Sequence, residues 1–153
     1  MTFLHLRPGR GAVDQPDLVR IWRRAVDATH DFLAPADRDE IQAKLATDYL
    51  PAVTLTVAER AGAPVGFSGV AGDGLEMLFV DPDSRGSGVG TALLEQAITE
   101  QGVRRVEVNE QNPAATGFYL HRGFEIVGRS DTDADGRAYP LLRLRLRGSG
   151  PLA

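Results

Sequence analysis

Apolar residues alternate in some stretches of the chain and recur every three or four residues in others, and the switches between these periods divide it into elements. Phe3, Leu4 and Leu6 predict a short strand that breaks at Pro8-Gly9. Asp14, with Asp17 three residues on, has the form of a capping box for a helix carrying Leu18, Trp22, Ala25 and Val26 on one face and ending near Asp31. Pro35 opens a second helix whose Ile41, Leu45 and Tyr49 share a face, and Pro51 is expected to stop it. Val53, Leu55 and Val57 alternate as a strand, Ala61-Gly62 forms a turn, and residues 65–70 return antiparallel to it. After a tight turn at 72–74, residues 75–80 are apolar at nearly every position, as in a central strand, yet include one carboxylate, Glu76. Beyond the loop 81–88, Val89, Leu93, Ala97 and Ile98 mark a helix ended by Gly102, and a strand follows over 103–108. Asn112 and Pro113 form an N-cap and N1 pair for a short helix stopping at Gly123. Residues 124–127 and 139–146 make a final antiparallel pair, with Leu142, Leu144 and Leu146 inward and Arg143, Arg145 and Arg147 outward. The predicted order is β-α-α-β-β-β-α-β-α-β-β, an α/β (α+β) domain.

Composition narrows the chemistry. A chain of 153 residues, 42% hydrophobic and 25% charged, suits one globular domain, expected over 1–147 with a flexible tail at 148–153. Seventeen basic residues against 21 acidic give a net charge of -4, which supplies no basic footprint for nucleic acid and suits a cationic substrate. Cysteine is absent, so disulfides, thiolate metal sites and a cysteine nucleophile are excluded. Lys44 is the only lysine, which rules out a phosphate loop needing Gly-Lys-Ser/Thr. With no signal-like start and no run of 18 apolar residues, a soluble cytoplasmic protein off the membrane is expected. His5, His30 and His121 lack ligand-like spacing. The 131–136 stretch Asp-Thr-Asp-Ala-Asp-Gly mimics a calcium loop, but Leu142 stands where a bidentate glutamate belongs, so a hairpin turn and no metal are expected.

Arg85-Gly86-Ser87-Gly88-Val89-Gly90 lies between a strand and a helix, where glycines let main chain approach an anion and the first helical N–H groups point at it. A dinucleotide fingerprint needs Gly-x-Gly-x-x-Gly; here the third glycine comes one residue early and Thr91 holds its place, which demotes NAD. Asn112, Ala115 and Tyr119 fall at i, i+3 and i+7. They place an amide, a small gap and a phenol along one helix face, fit either for packing or for lining a channel.

Taken together, Leu78-Phe-Val-Asp-Pro-Asp-Ser-Arg-Gly-Ser-Gly-Val-Gly-Thr91 and Asn109-Glu-Gln-Asn-Pro-Ala-Ala-Thr-Gly-Phe-Tyr-Leu-His-Arg-Gly-Phe124 resemble the two signature segments of the GCN5-related N-acetyltransferase (GNAT) superfamily. Trp22, Asp27-Ala-Thr-His-Asp-Phe32 and the region from Gly128 to Leu142 extend the likeness, nearly end to end, to its bacterial YjaB-type members. The resemblance implies a single mixed, mostly antiparallel sheet of about seven strands, splayed between the fourth and fifth, with about four helices. It implies acetyl-CoA as acetyl donor, its pyrophosphate on Arg85, Gly86, Ser87, Gly88, Val89, Gly90 and Thr91 and its pantetheine beside Leu78, Phe79 and Val80. It places Asn109, Asn112 and Ala115 against the donor and matches Tyr119 to the general acid. Trp22, His30 and Asp31 are expected on the acceptor side, and the protein as a monomer or homodimer.

Acetyl transfer needs a neutral amine, whereas a lysine-like amine of pKa about 10.4 is only ~0.1% neutral near pH 7.4, a deficit of about 4 kcal/mol. Glu76 is a candidate base, directly or through water, because a carboxylate in an apolar strand has a raised pKa; a salt-bridge role is its alternative. His30 beside Asp31 is the second candidate, although adjacent helical side chains point apart. A phenol of pKa about 10 can protonate a leaving thiolate of pKa about 8.5, the role assigned to Tyr119. Main-chain N–H groups of residues 78–80 would face the developing oxyanion if the strand bulges there. Three readings follow: an enzyme acetylating a primary amine such as a protein lysine; an enzyme acting on a free small amine, for example a polyamine, amino acid or antibiotic; or a non-enzymatic acetyl-CoA-binding module.

Overall fold

A computed structural model describes residues 3–148. The element order is the one expected, and the chain divides into two compact units, Met1–Val103 and Arg104–Ala153. Of the expected tail, residues 149–153 lie outside the described residues.

In the first unit, β1 (Leu4–Pro8), β2 (Thr54–Arg60), β3 (Ala63–Ala71) and β4 (Gly74–Val80) run antiparallel, each beside the next. The turn between β2 and β3 puts both Ala61 (φ 55°) and Gly62 (φ 79°) in the left-handed region, which matches the twist of the strands it joins. Three helices accompany this sheet: α1 (Gln15–Thr29), α2 (Pro35–Lys44) and α3 (Val89–Gln101). Strand alternation separates their contacts. Leu78 and Val80 pack with Ala58 against Val89 and Leu93 of α3, whereas Phe79 meets the edge of Trp22 on α1 at 6.4 Å between ring centroids and Phe67 at 5.8 Å. Close approach of α3 requires Gly66: a Cβ there would lie 2.9 Å from Val89 Cγ1 and 3.0 Å from the Phe79 carbonyl.

Two local expectations need correction. Asp14 does precede α1, but its side chain makes no capping bond and no capping box forms. Its carboxylate instead accepts both Nη groups of Arg7, at 2.9 and 2.8 Å, and the Arg10 amide, because β1 brings the Arg7 guanidinium to it. Nor does Pro51 end the second helix. After Lys44 the winding widens to a π turn over Leu45–Tyr49 and then tightens to a 3-10 turn, Leu50–Ala52. Pro51 is tolerated because the first turn of a helical segment asks no N–H of it.

The second unit holds β5 (Arg105–Asn109), β6 (Phe124–Ser130) and β7 (Leu141–Leu146), antiparallel with β7 between the other two, and the helix α4 (Pro113–His121). Ile126 pairs with Leu144 and Gly128 with Arg143, so Val127 is an extra residue that bulges the outer strand. The stretch 131–136 belongs to the β6–β7 connection, where Asp133 Oδ1 accepts the amides of Asp135 and Arg137.

Candidate active site

The glycine turn is anchored from both sides and open above. Asp81, buried, accepts the Asp83 amide and the Arg24 guanidinium from α1, while its own N–H donates to Val65 O; this pins the start of the loop. Gly86 (φ 76°) and Gly88 (φ 89°) hold conformations that L side chains rarely adopt, and a Cβ at either would meet nothing within 4 Å. These glycines thus serve backbone shape and a clear approach, not tight packing. Gly88 is the residue before α3 and has no side chain to cap it, so the first-turn N–H groups and the positive end of the helix dipole face that open space. Arg60, at the end of β2, donates from Nη1 to Ser87 Oγ at 2.9 Å and adds positive charge to the same turn. The sequence reading missed Arg60; its place depends on strand register, and nothing in local spacing signals it.

On the other face of β4 lies a cavity of about 430 Å³. Trp22 of α1 and Phe79 form part of its wall, with Val53 and Ala71 from the strands and their approaches. Ile41, Leu45 and Tyr49 complete it, and the π turn explains their alignment. Four residues of α-helix overshoot a full turn by about 40°, whereas four residues of π-helix, at about 82° each, fall short by about 32°. The two deviations nearly cancel, so Ile41 and Tyr49 fall within about 10° of each other with Leu45 about 40° to one side, and all three face the cavity.

Glu76 is the charged residue lining this cavity. Plain alternation from Leu78 and Val80 would turn it toward α3. However, Val70 pairs with Leu75 and Gly69 with Met77, which makes Glu76 the extra residue of a bulge and brings it to the side of Met77 and Phe79. The oxyanion role of the 78–80 amides is conditional on a bulge there; pairing with β3 is regular at 78–80, and the bulge lies at Glu76. Glu76 has apolar neighbours in this wall but is itself exposed, so it is not desolvated as the apolar strand suggests.

His30 and Asp31 stand apart from that wall. His30 closes α1, and its Nδ1 lies 2.6 Å from Thr29 Oγ1, which itself donates to Ala25 O. Desolvation, then the Arg38 charge, depress the His30 pKa to about 4, leaving the ring neutral at physiological pH. Asp31 is exposed in the following turn, so the imagined His30–Asp31 pair does not form.

In the second unit, Asn112 is buried at the head of α4. Its Oδ1 accepts the Ala115 amide at 3.3 Å, and its own N–H donates to Asn109 O at the end of β5. Tyr119 is only 6% exposed and is held edge-on by Phe118 and Phe124, at 5.1 and 5.6 Å. Burial pushes its phenol well above the usual value, so it stays protonated across the neutral range and is a weaker acid than a free phenol.

An open glycine turn at a helix start and a cavity with a carboxylate in its wall are the features this sheet presents, and comparison with known proteins gives the class of enzyme they belong to. Residues 51–126 match the model of the acetyltransferase (GNAT) domain, and this chain belongs to the GNAT acetyltransferase family. It is 48% identical over 128 residues to the peptidyl-lysine N-acetyltransferase YjaB of Salmonella typhimurium, covering 83% of this chain and 88% of that one. Identity to the protein of the same name from Escherichia coli is 46% over 134 residues, covering 87% and 90%. The solution structure of apo-form YjaB from Escherichia coli superposes with a TM-score of 0.85 over 96% of this chain and 99% of that chain, at 41% identity. The fold is thus the GNAT fold, and the chain is an N-acetyltransferase. Among the described residues, no helix is long and apolar enough to cross a membrane, and no group of three or more His, Asp or Glu is placed to hold a metal ion.

Proposed function

We propose that this enzyme moves the acetyl group of acetyl-CoA to the side-chain amine of a lysine in a protein substrate, in the cytoplasm of a bacterium. The observation that carries the acceptor assignment is the β4 bulge, which sets the Glu76 carboxylate in a cavity whose other described lining residues are uncharged. That carboxylate attracts the ammonium form and then takes its proton, directly or through water, which offsets the deficit of about 4 kcal/mol for a neutral amine. The relatives' name, peptidyl-lysine N-acetyltransferase, supports the same acceptor.

Acetyl-CoA is a substrate here and supplies the activated thioester. The chain's own groups bind and orient it: the amides from Gly86 to Thr91 and the Arg60 and Arg85 guanidinium groups receive its phosphates. Leu78 and Val80 turn their side chains to α3, and the main-chain groups of residues 78–80 that do not pair with β3 are the ones assigned to the pantetheine arm. Asn109, Asn112 and Ala115 present the capped start of α4 to the donor. Tyr119, whose phenol carries its proton at neutral pH, is the group assigned to give a proton to the departing thiolate, and the upward push of burial on its pKa makes that transfer depend on the thiolate's own basicity as it departs.

Thiol-release kinetics with single-lysine peptides tests this reading. Acceptor-dependent thiol release is expected, and Glu76→Gln should lower kcat/KM by about 10- to 100-fold at pH 7 while the loss narrows at high pH, where the amine sheds its proton unaided. Tight donor binding without acceptor-dependent release would favour a non-enzymatic module instead.

A further inference from the structure

We infer that the acceptor lysine is one with an apolar residue beside it in the peptide, and that the Ile41–Leu45–Tyr49 ridge reads that neighbour. The inference rests on the acetyl-transfer reading above and adds a sequence preference to it. A cavity of about 430 Å³ falls within the range of roughly 300–1,000 Å³ that takes a drug-sized ligand, far more than one unbranched four-carbon stem fills. What occupies the remainder must suit its walls.

Among the described residues those walls are aromatic and aliphatic apart from the Glu76 carboxylate. One ammonium is matched. A second ammonium, as in a polyamine, or the carboxylate of a free amino acid would be desolvated against Trp22, Leu45 and Met77, and the described lining residues supply no second charge to meet it. A lysine inside a peptide brings only neutral amides beside its stem. The ridge, aligned by the π turn, runs roughly 11 Å, about the span of three residues of extended peptide. It therefore has the length to meet the lysine's flanking residue and the composition to favour an apolar one.

The test uses end-blocked peptides of equal length, each with one lysine flanked by Leu, Phe, Ser, Glu or Lys, alongside spermidine and free lysine. Leu- and Phe-flanked peptides are expected to exceed the Ser-flanked peptide by about 10-fold or more in kcat/KM, with Glu- and Lys-flanked peptides lower still. Ile41 is only half-buried, so Ile41→Ser should fold, as urea unfolding would verify, and should shrink the Leu-to-Ser ratio to within about 3-fold. Equal efficiency across all peptides would overturn the inference while leaving acetyl transfer intact. Spermidine or free lysine outpacing every peptide would also overturn it. Acetyl-CoA binding by calorimetry with no amine acetylated would instead defeat the underlying acetyl-transfer reading.

Discussion

Replacing Asp14 by alanine removes one partner from a buried ion pair. Arg7 and Asp14 are 7% and 3% exposed, and two parallel N–H···O bonds join them. Losing one member of such a pair typically costs about 3–5 kcal/mol, because the other charge stays desolvated. Glu59 softens the loss: its carboxylate is 3.2 Å from Arg7 Nε, although off the N–H direction, so it contributes charge but no aligned hydrogen bond. A cost near the lower end, about 3 kcal/mol, is therefore expected; at about 1.4 kcal/mol per decade this is a little over a hundredfold in the folding equilibrium. In a protein of this size the melting temperature should fall by about 6–12 °C. The Arg7 hydrogen bonds, ahead of the Arg10 amide, hold the Asp14 carboxyl below its usual pKa, so its stabilisation is complete above the unfolded pKa of about 3.9 and disappears as pH falls through the folded value. The gap between wild type and Asp14→Ala should accordingly be flat from pH 5 to 8 and close below about pH 4. Urea unfolding followed by Trp22, the sole tryptophan and buried on the helix that Asp14 precedes, reports both quantities. A loss below about 1 kcal/mol at pH 7, or an undiminished gap at pH 3, would refute the reasoning.

Tyr119→Phe should lower turnover by roughly 10- to 100-fold with little change in acetyl-CoA affinity, and because the wild-type phenol is raised, the pH–rate profile should show no falling limb from it below about pH 10. Gly88→Val should abolish donor binding in calorimetry, since φ is 89° there and the branched side chain would stand in the open space above the turn. Gly66→Ala should cost about 1–3 kcal/mol in chemical unfolding, as its new methyl would press Val89 and move α3 outward; unchanged stability would contradict the close packing described.

Much of this was legible in the chain because it is encoded locally. The turn at Ala61-Gly62, the Gly102 stop and the Asn112-Pro113 helix start each depend on a few adjacent residues, and each occurs where the pattern places it. What escaped depends on partners distant in sequence. Asp14 looks like a cap until β1 delivers Arg7. The Glu76 bulge is a property of β3–β4 register, and Arg60 reaches Ser87 across 27 positions. Among the candidate site residues, Trp22, Glu76 and Phe79 do gather around one cavity. Their grouping follows from the pleat and from α1 packing, which residue types alone do not specify. His30 drew notice for its chemistry, but its position at a helix end gives it to Thr29.

The extra residue in β6 also bears on solubility. Ile126 and Val127 are both about half exposed on the last strand of their group, a surface that would ordinarily invite another chain to zip alongside. By breaking the even spacing of its amides and carbonyls and sharpening the local twist, Val127 denies an incoming strand a continuous template. This exposed apolar rim thus carries its own guard against fibrillar stacking, and deleting that single residue would remove it.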